Sequence, residues 1–201
     1  MFNKNNTVES LNVDTEQASK SIVDTNDELL AGECSKNCSN QGEMSLEKSI
    51  VDILLRAGLK VTTVGSCTGG MVASRLVNIS GVSEVFKYSF VTYSDEAKNK
   101  LVGVKQSTLD KYTAVSRETA FEMVQSLDAP LKSDVCVGVT GYADGEDAGH
   151  VFIACNVRGT TEVKEFHFDG NRAAVRESAS TEALVLLREC VLKYLGSDAS
   201  V

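Results

Sequence analysis

The stretch Gly65-Ser66-Cys67-Thr68-Gly69-Gly70 decides the fold, because the pattern before it is typical of a strand and the pattern after it of a helix. The segment 60–64 is short and rich in β-branched residues, and the apolar residues of 70–78 have helical spacing. Free backbone N–H groups at a helix start attract a phosphate or a developing oxyanion. The turn therefore predicts a nucleophile or phosphate site, or a plain helix cap formed by Ser66 or Thr68.

Secondary-structure signals on both sides of this turn alternate between helix and strand. Four residues, 158–161, predict a hairpin that makes one strand pair antiparallel. The strands are apolar, so helices must cover both faces of the sheet. The fold class is therefore α/β, a three-layer α/β/α sandwich with a mixed, mostly parallel sheet. Further helices are predicted over 45–58, 94–102, 116–127 and about 172–195, and further strands over 86–93, 134–140, 150–157 and 162–168.

The first 43 residues differ from the rest in composition. They hold eight acidic residues and three lysines, so they supply −5 of the formal net charge of −8, and they contain few large apolar side chains. Such a segment buries too little apolar surface to offset the entropy lost on ordering. The composition predicts a disordered acidic tail over 1–43 and one α/β domain over 44–197.

The charge and hydropathy of the chain exclude several classes of function. An acidic chain is a poor binder of nucleic acid or of anionic membranes. No stretch approaches 18 apolar residues, so we expect no membrane span. The amino terminus lacks the features of a secretory signal or a mitochondrial presequence, and we expect a cytoplasmic protein.

A second motif, Tyr93-Ser94-Asp95-Glu96-Ala97-Lys98, follows the strand predicted over 86–93. If that strand runs parallel to 60–64, both end at the edge where open α/β sheets bind ligands. A serine beside a buried lysine is a workable hydrolytic pair, because desolvation lowers the pKa of the amine, which can then accept the serine proton. Tyr93 could relay that proton. The alternative is a solvated Lys98 and a Tyr93 at the edge of the core.

The two histidines do not suggest a conventional triad. His150 begins a strand and His167 lies in the hairpin, and no Asp or Glu marks either one as its partner. A pair of Cys67 with a histidine is the weaker substitute.

At these residues the chain resembles the CinA carboxy-terminal domain family, the nicotinamide-nucleotide amidohydrolases of the competence- or damage-inducible type. The family signature is Glu-Ser-Cys-Thr-Gly-Gly followed by Phe-Val-Thr-Tyr-Ser-Asn/Asp-Glu-Ala-Lys, and the resemblance covers roughly residues 45–195. The matching segments of this chain are Ser66–Gly70, Phe90–Lys98, Gly103-Val104, Ala114-Val115-Ser116, Thr140-Gly141, Gly170-Asn171-Arg172 and Val175-Arg176.

The resemblance implies deamidation of nicotinamide mononucleotide (NMN) to nicotinate mononucleotide and ammonia. Ser66 would be the nucleophile, Lys98 the base and Tyr93 the proton relay. It also implies an anticodon-binding-domain-like topology, a homo-oligomer, a small-molecule nucleotide substrate, and no metal or cofactor. The residues implied to bind substrate are Cys67, Thr68, Gly69, Gly70, Thr140, Gly141 and Arg172.

Two departures from the family keep a second interpretation open. Gly65 replaces the family's glutamate, and the loop over 142–148 is shorter than the family's and carries three carboxylates. Negative charge at an edge that binds phosphate repels the ligand. The alternative function is therefore a divergent, weakly active or inactive module that binds a nucleotide or a protein.

Overall fold

The structure, a computed structural model, describes residues 44–125 and 133–198. The predicted tail over 1–43 lies outside the described residues and stays a prediction. In the described part no helix is both long and apolar enough to span a membrane.

Six helices and five strands follow one another in the described chain. The predicted elements are confirmed to within a few residues, while the short helix α4 was not predicted. The helices are α1 (Leu46–Ala57), α2 (Met71–Val77), α3 (Asp95–Val102), α4 (Gln106–Tyr112), α5 (Arg117–Gln125) and α6 (Arg172–Asp198). The strands are β1 (Val61–Gly65), β2 (Phe86–Val91), β3 (Val135–Gly141), β4 (His150–Val157) and β5 (Thr160–His167).

Local signals set the ends of the helices that surround the site. The Ser94 hydroxyl accepts the Ala97 N–H at 3.1 Å and begins α3. Gly103 then ends the helix with a φ of 71°, a left-handed conformation that favours glycine. Lys98 lies about one turn into this helix, which follows β2, as the sequence predicts.

The sheet is mixed and has the strand order β2-β1-β3-β4-β5. Strand β1 runs parallel to both β2 and β3, whereas the β3–β4 and β4–β5 pairs are antiparallel. The mixed sheet is confirmed, but its parallel share is smaller than predicted. The reason is that the segment after β3 returns directly into β4 without a crossover helix.

Helices cover both faces of the sheet, which confirms the three-layer sandwich. Helices α1, α2 and α6 pack on one face, around residues such as Leu54, Leu76 and Leu187. Helices α3, α4 and α5 pack on the other face, around Met123 and Val124. The edge strands β2 and β5 are largely exposed or half-buried, in contrast to the apolar strands expected.

The connections that follow β1 and β2 lie on opposite faces of the sheet. The chain passes from β1 to β2 through α2, and from β2 to β3 through α3, α4 and α5. Strand β1 therefore lies at the point where the strand order reverses, and the carboxyl ends of strands there form the usual ligand crevice of open α/β sheets. Ser66 is the first residue after β1.

Candidate active site

A cavity of about 210 Å³ opens at the carboxyl ends of β1 and β3, beside Ser66. Six of the residues predicted for the site line it, so the structure brings the two motifs and the start of α6 together. These six are Ser66, Cys67, Tyr93, Lys98, Gly141 and Arg172. The rest of the wall is formed by Ala114, Val115, Tyr142, Ala143 and Asp144.

Ser66 and Lys98 are in direct contact. The Lys98 Nζ lies 3.2 Å from the Ser66 Oγ, and it also donates to the Thr92 carbonyl oxygen at 3.0 Å. The lysine side chain is fully buried, since the residue is only 1% exposed. The predicted proximity is confirmed, and the alternative of a solvated Lys98 is wrong.

Thr92 connects the ends of the two strands. Its N–H donates to the Gly65 carbonyl oxygen at 2.8 Å, and its own carbonyl oxygen accepts from Lys98. The residue is completely buried. Thr92 therefore fixes the lysine relative to Ser66. Its place in the segment Phe90–Lys98, directly before the second motif, was the only sequence signal for this role.

Burial lowers the pKa of Lys98. Desolvation brings the pKa of its amine below the ordinary value of 10.5, and the nearby Asp95 carboxylate, with Cys67 after it, only partly opposes this. A buried lysine whose amine contacts a serine hydroxyl is arranged to act as a base. The electrostatics match the predicted pair.

The Ser66 turn is held by backbone bonds and by one arginine. The Ser66 N–H donates to the Val139 carbonyl oxygen at 3.0 Å, and the Gly69 N–H to the Ser66 carbonyl oxygen at 3.0 Å. The guanidinium of Arg176, on α6, donates to the carbonyl oxygens of Cys67 and Thr68, each at 3.0 Å. Arg176 was not among the predicted site residues.

Cys67 is unsuited to act as the nucleophile. Burial raises the pKa of its thiol to about 11, with backbone N–H groups and the cations Lys98 and Arg176 opposing the rise. The thiolate is therefore scarce at neutral pH. Neither His150 nor His167 lines the cavity, so the structure does not support a cysteine–histidine pair.

Tyr93 and Arg172 form the rim of the cavity. The Tyr93 side chain is exposed, and its hydroxyl accepts a hydrogen bond from Arg172 Nη2 at 2.6 Å. Arg172 also pairs with Asp144, and the pKa of its guanidinium is raised, first by the bond to Asp144 and then by Tyr93. The structure gives Tyr93 no hydrogen bond to Ser66 or Lys98 among the described residues. Its role as a relay stays a prediction.

Four residues predicted to bind substrate do not line the cavity. Thr140 is buried and its hydroxyl donates to the Ala114 carbonyl oxygen at 2.7 Å, so it positions a wall residue. Gly70 lies just before α2 with a φ of 89°, which gives the turn its shape. For Thr140 and the turn residues Thr68, Gly69 and Gly70, the geometry supports a structural role in this cavity.

Gly141 borders the cavity at a point where the chain leaves no room for a side chain. A Cβ at this position would lie 2.6 Å from Val151 Cγ2 and 2.8 Å from the His150 carbonyl oxygen. Only glycine fits this close approach of β3 to β4.

His150 has an acidic partner that the sequence did not reveal. Its Nε2 lies 2.8 Å from Glu165 Oε1. The prediction that no acid pairs with either histidine is wrong for His150, because the β4–β5 register brings together residues 15 positions apart.

The comparisons with known proteins agree with this fold. The family profile described as CinA C-terminal domain matches residues 43–191. The fold and the cavity define an α/β protein with a candidate ligand site at the carboxyl ends of its parallel strands. The chain belongs to the CinA C-terminal domain family.

Relatives of known sequence share this domain. A CinA-like protein of Kosmotoga olearia is 41% identical over 157 residues, which are 75% of this chain and 38% of the relative. A putative competence-damage inducible protein of Finegoldia magna is 39% identical over 158 residues, 79% of this chain and 38% of that protein. The chain thus spans under two fifths of the length of these relatives.

Solved structures of the family have the same fold. A CinA superfamily protein from Klebsiella pneumoniae superposes with a TM-score of 0.70 at 32% identity, covering 74% of this chain and 96% of that one. One from Enterobacter cloacae gives a TM-score of 0.70 at 33% identity, covering 79% and 99%.

Proposed function

We propose that this protein is an amidohydrolase that deamidates NMN to nicotinate mononucleotide and ammonia. The observation that carries the proposal is the contact between a fully buried lysine amine and the Ser66 hydroxyl, at 3.2 Å, in a cavity at the carboxyl ends of the strands. Burying a lysine amine costs folding free energy. Titratable groups in clefts whose pKa is perturbed in this way mark candidate reactive sites.

In the first step, neutral Lys98 accepts the Ser66 proton while the serine oxygen attacks the carboxamide carbon. Burial favours the neutral amine, and the Thr92 carbonyl oxygen holds it in place. The carbonyl oxygen of the substrate becomes an oxyanion in the tetrahedral intermediate. Backbone N–H groups around Cys67–Gly70 are the proposed donors to this oxyanion. The N–H groups of Ser66 and Gly69 are not among them, because they already donate to carbonyl oxygens within the fold.

In the second step, the C–N bond breaks and the proton held by Lys98 passes to the leaving nitrogen, which departs as ammonia. Tyr93, at the rim of the cavity, is the proposed relay for that proton. Water then attacks the acyl-serine ester, with Lys98 again accepting the proton. The C–O bond to Ser66 breaks as Lys98 returns this proton to the serine oxygen, which regenerates Ser66 and releases a carboxylic acid that ionises to the carboxylate.

Arg172 is the proposed contact for the phosphate of the nucleotide. It lies at the rim of the cavity and its side chain is partly exposed. A guanidinium binds phosphate through two parallel hydrogen bonds, and Tyr93 already helps to orient it. Asp144 must release Arg172 when a phosphate binds. Exposed ion pairs of this kind are weak, so releasing Arg172 from Asp144 costs little.

The Asp144–Arg172 pair also favours a second candidate function, a binding module without turnover. The Asp144 carboxylate occupies the Arg172 guanidinium at the rim of the cavity and adds negative charge where a phosphate would bind. A protein that recognises an uncharged or cationic ligand at this rim would tolerate that arrangement better than one that recognises a phosphate.

The experiment measures ammonia release from NMN by the wild type, Ser66→Ala and the control Ser74→Ala, whose serine is exposed on α2. We expect Ser66→Ala to lose activity by about 10³-fold or more, and Ser74→Ala to retain it. Equal rates of ammonia release for the wild type and Ser66→Ala would contradict the proposed amidohydrolase activity. If NMN still shifts the melting temperature of that inactive wild type, the binding module is the better account.

A further inference from the structure

Two histidines and a glutamate meet at the open end of the β4–β5 hairpin, outside the Ser66 cavity. His150 begins β4, His167 ends β5, and the two are partners across the strands with ring centroids 4.4 Å apart. Glu165 Oε1 lies 2.8 Å from His150 Nε2. One ligand atom from each of the three side chains lies within 4.8 Å of the others.

The register of the hairpin explains why these side chains converge. The Phe168 N–H donates to the Gly149 carbonyl oxygen at 2.9 Å, and the His150 carbonyl oxygen accepts from the Tyr142 N–H on the side away from β5. The next pair, His150 and His167, is then a non-hydrogen-bonded pair, in which the side chains come closest. Glu165 is two residues before His167 on β5, so it projects from the same face of the sheet.

We propose that His150, Glu165 and His167 bind a divalent transition-metal ion, with Zn²⁺ the best match. Zinc takes imidazole nitrogen and carboxylate oxygen at about 2.0–2.2 Å, and tetrahedral geometry then sets the ligand atoms about 3.4 Å apart. His167 and Glu165 are exposed, so small side-chain rotations close the observed spacing. Three protein ligands leave a fourth position for water.

The hard cations fit this site less well. Mg²⁺ and Ca²⁺ prefer oxygen ligands, and this cluster offers two nitrogens and one carboxylate. The site also lies apart from the reaction proposed at Ser66, because none of its three ligands lines that cavity. A metal here would add a site that the family resemblance does not imply.

The position of the cluster ties it to the loop that walls the cavity. The Tyr142 N–H donates to the His150 carbonyl oxygen at 2.9 Å, and the Gly149 N–H to the Tyr142 carbonyl oxygen at 2.8 Å. Asp144, which pairs with Arg172, is in the same loop. A metal bound to His150 and His167 would cross-link the two strands at the base of this loop and stabilise the folded state.

The test is calorimetric titration of the untagged, chelator-treated full chain with ZnCl₂, with MgCl₂ as a comparison. We expect the wild type to bind one more equivalent of Zn²⁺ than His167→Asn, and the Mg²⁺ titration to show no such difference. Counting the difference separates this site from any zinc held by thiols, which His167→Asn leaves intact. Glu165→Gln should weaken binding at this site by about tenfold or more.

The matched control is Glu162→Gln, which removes the same charge from the same strand. Glu162 pairs with Cys155 in the register, whereas Glu165 pairs with Phe152, so the two glutamates project from opposite faces of the sheet. We expect Glu162→Gln to bind Zn²⁺ as the wild type does. Zn²⁺ should raise the melting temperature of the wild type and of Glu162→Gln, but not that of His167→Asn.

Equal stoichiometry and affinity for the wild type and His167→Asn would overturn the proposal. The melting temperature of each variant without metal shows that it is folded. Both histidines and Glu165 lie at the surface or are half-buried, so these substitutions leave the core intact.

Discussion

The Lys98 amine and the Ser66 hydroxyl lie 3.2 Å apart although 32 residues separate them in the chain. Ser66 follows β1, and Lys98 is in the first turns of α3, just after β2. The two strands are parallel neighbours, and the Thr92 N–H donates to the Gly65 carbonyl oxygen at 2.8 Å where they end. The contact therefore depends on strand pairing as much as on the two side chains.

Replacing Lys98 by methionine should remove the base and keep the volume of the side chain. We expect kcat for NMN deamidation to fall by about 10²–10⁴-fold, the usual contribution of a positioned base. Lys100→Met is the control, because Lys100 is exposed on the same helix and pairs with Glu96. Steady-state ammonia release measures both. A loss of similar size in the two variants would contradict the assignment.

The rate should depend on pH through Lys98. Only the neutral amine accepts the Ser66 proton, and burial lowers its pKa from 10.5. We therefore expect kcat/KM to rise as pH increases through that lowered pKa and then to level off below pH 10.5. Rates measured across the pH range in which the protein stays folded test this. A rate that continues to rise up to 10.5 would show an unperturbed lysine.

Folding stability should depend on the same group with a definite sign. At a pH between the lowered pKa and 10.5 the unfolded state binds the proton and the folded state does not, so stability rises with pH in this window. Below the window the folded protein carries the full cost of a buried cation. The difference in unfolding free energy between the wild type and Lys98→Met, from urea titrations, should shift toward the wild type as pH rises. A difference that stays constant would refute the linkage.

Neutralising Asp144 should free Arg172 for a phosphate. We expect Asp144→Asn to lower KM for NMN by only about two- to fivefold at low salt, because exposed charge pairs are weak. Added salt should reduce the effect. Asp147→Asn is the control, since Asp147 is in the same loop and does not line the cavity. An equal change in both variants would mean that only the net charge of the loop matters.

Arg176 should act as a positioning residue for the Ser66 turn. It donates to the Cys67 and Thr68 carbonyl oxygens, so we expect Arg176→Met to lower kcat by roughly 10–100-fold through misplacement of the nucleophile. Arg75→Met is the matched control, because Arg75 also bridges elements by contacts to Ser180 and Thr181 on α6. Both variants should lose stability, measured by thermal unfolding. If kcat falls equally in both, Arg176 has no specific role.

The sequence predicted the reactive pair because the pair follows from local rules. A strand–turn–helix pattern placed Ser66 at a strand end, and a cap at Ser94 placed Lys98 one turn into a helix. The rule that parallel strands end at one edge then brought the two together. This prediction required no information about which residues far apart in the chain are in contact.

The contacts that were missed join distant parts of the chain. Arg176 reaches carbonyl groups 108 and 109 residues earlier, and backbone acceptors leave no mark in a sequence. Thr140 was predicted to bind substrate, but its side chain points to Ala114, and a motif does not specify which way a side chain faces. Helix α4 is seven residues long, too short for a clear apolar period.

Strand β2 is an edge strand, which has a consequence for the lifetime of the site. Among the strands of residues 44–125 and 133–198 only β1 pairs with it, and its residues are exposed or half-buried. Edge strands open locally more often than central ones, at free energies below that of global unfolding. Each opening of β2 that breaks the Thr92–Gly65 bond separates Lys98 from Ser66 while the rest of the sheet stays folded. Hydrogen exchange at the Thr92 amide would therefore report how often Lys98 and Ser66 separate. A molecule that binds along β2 would slow that exchange without touching the cavity.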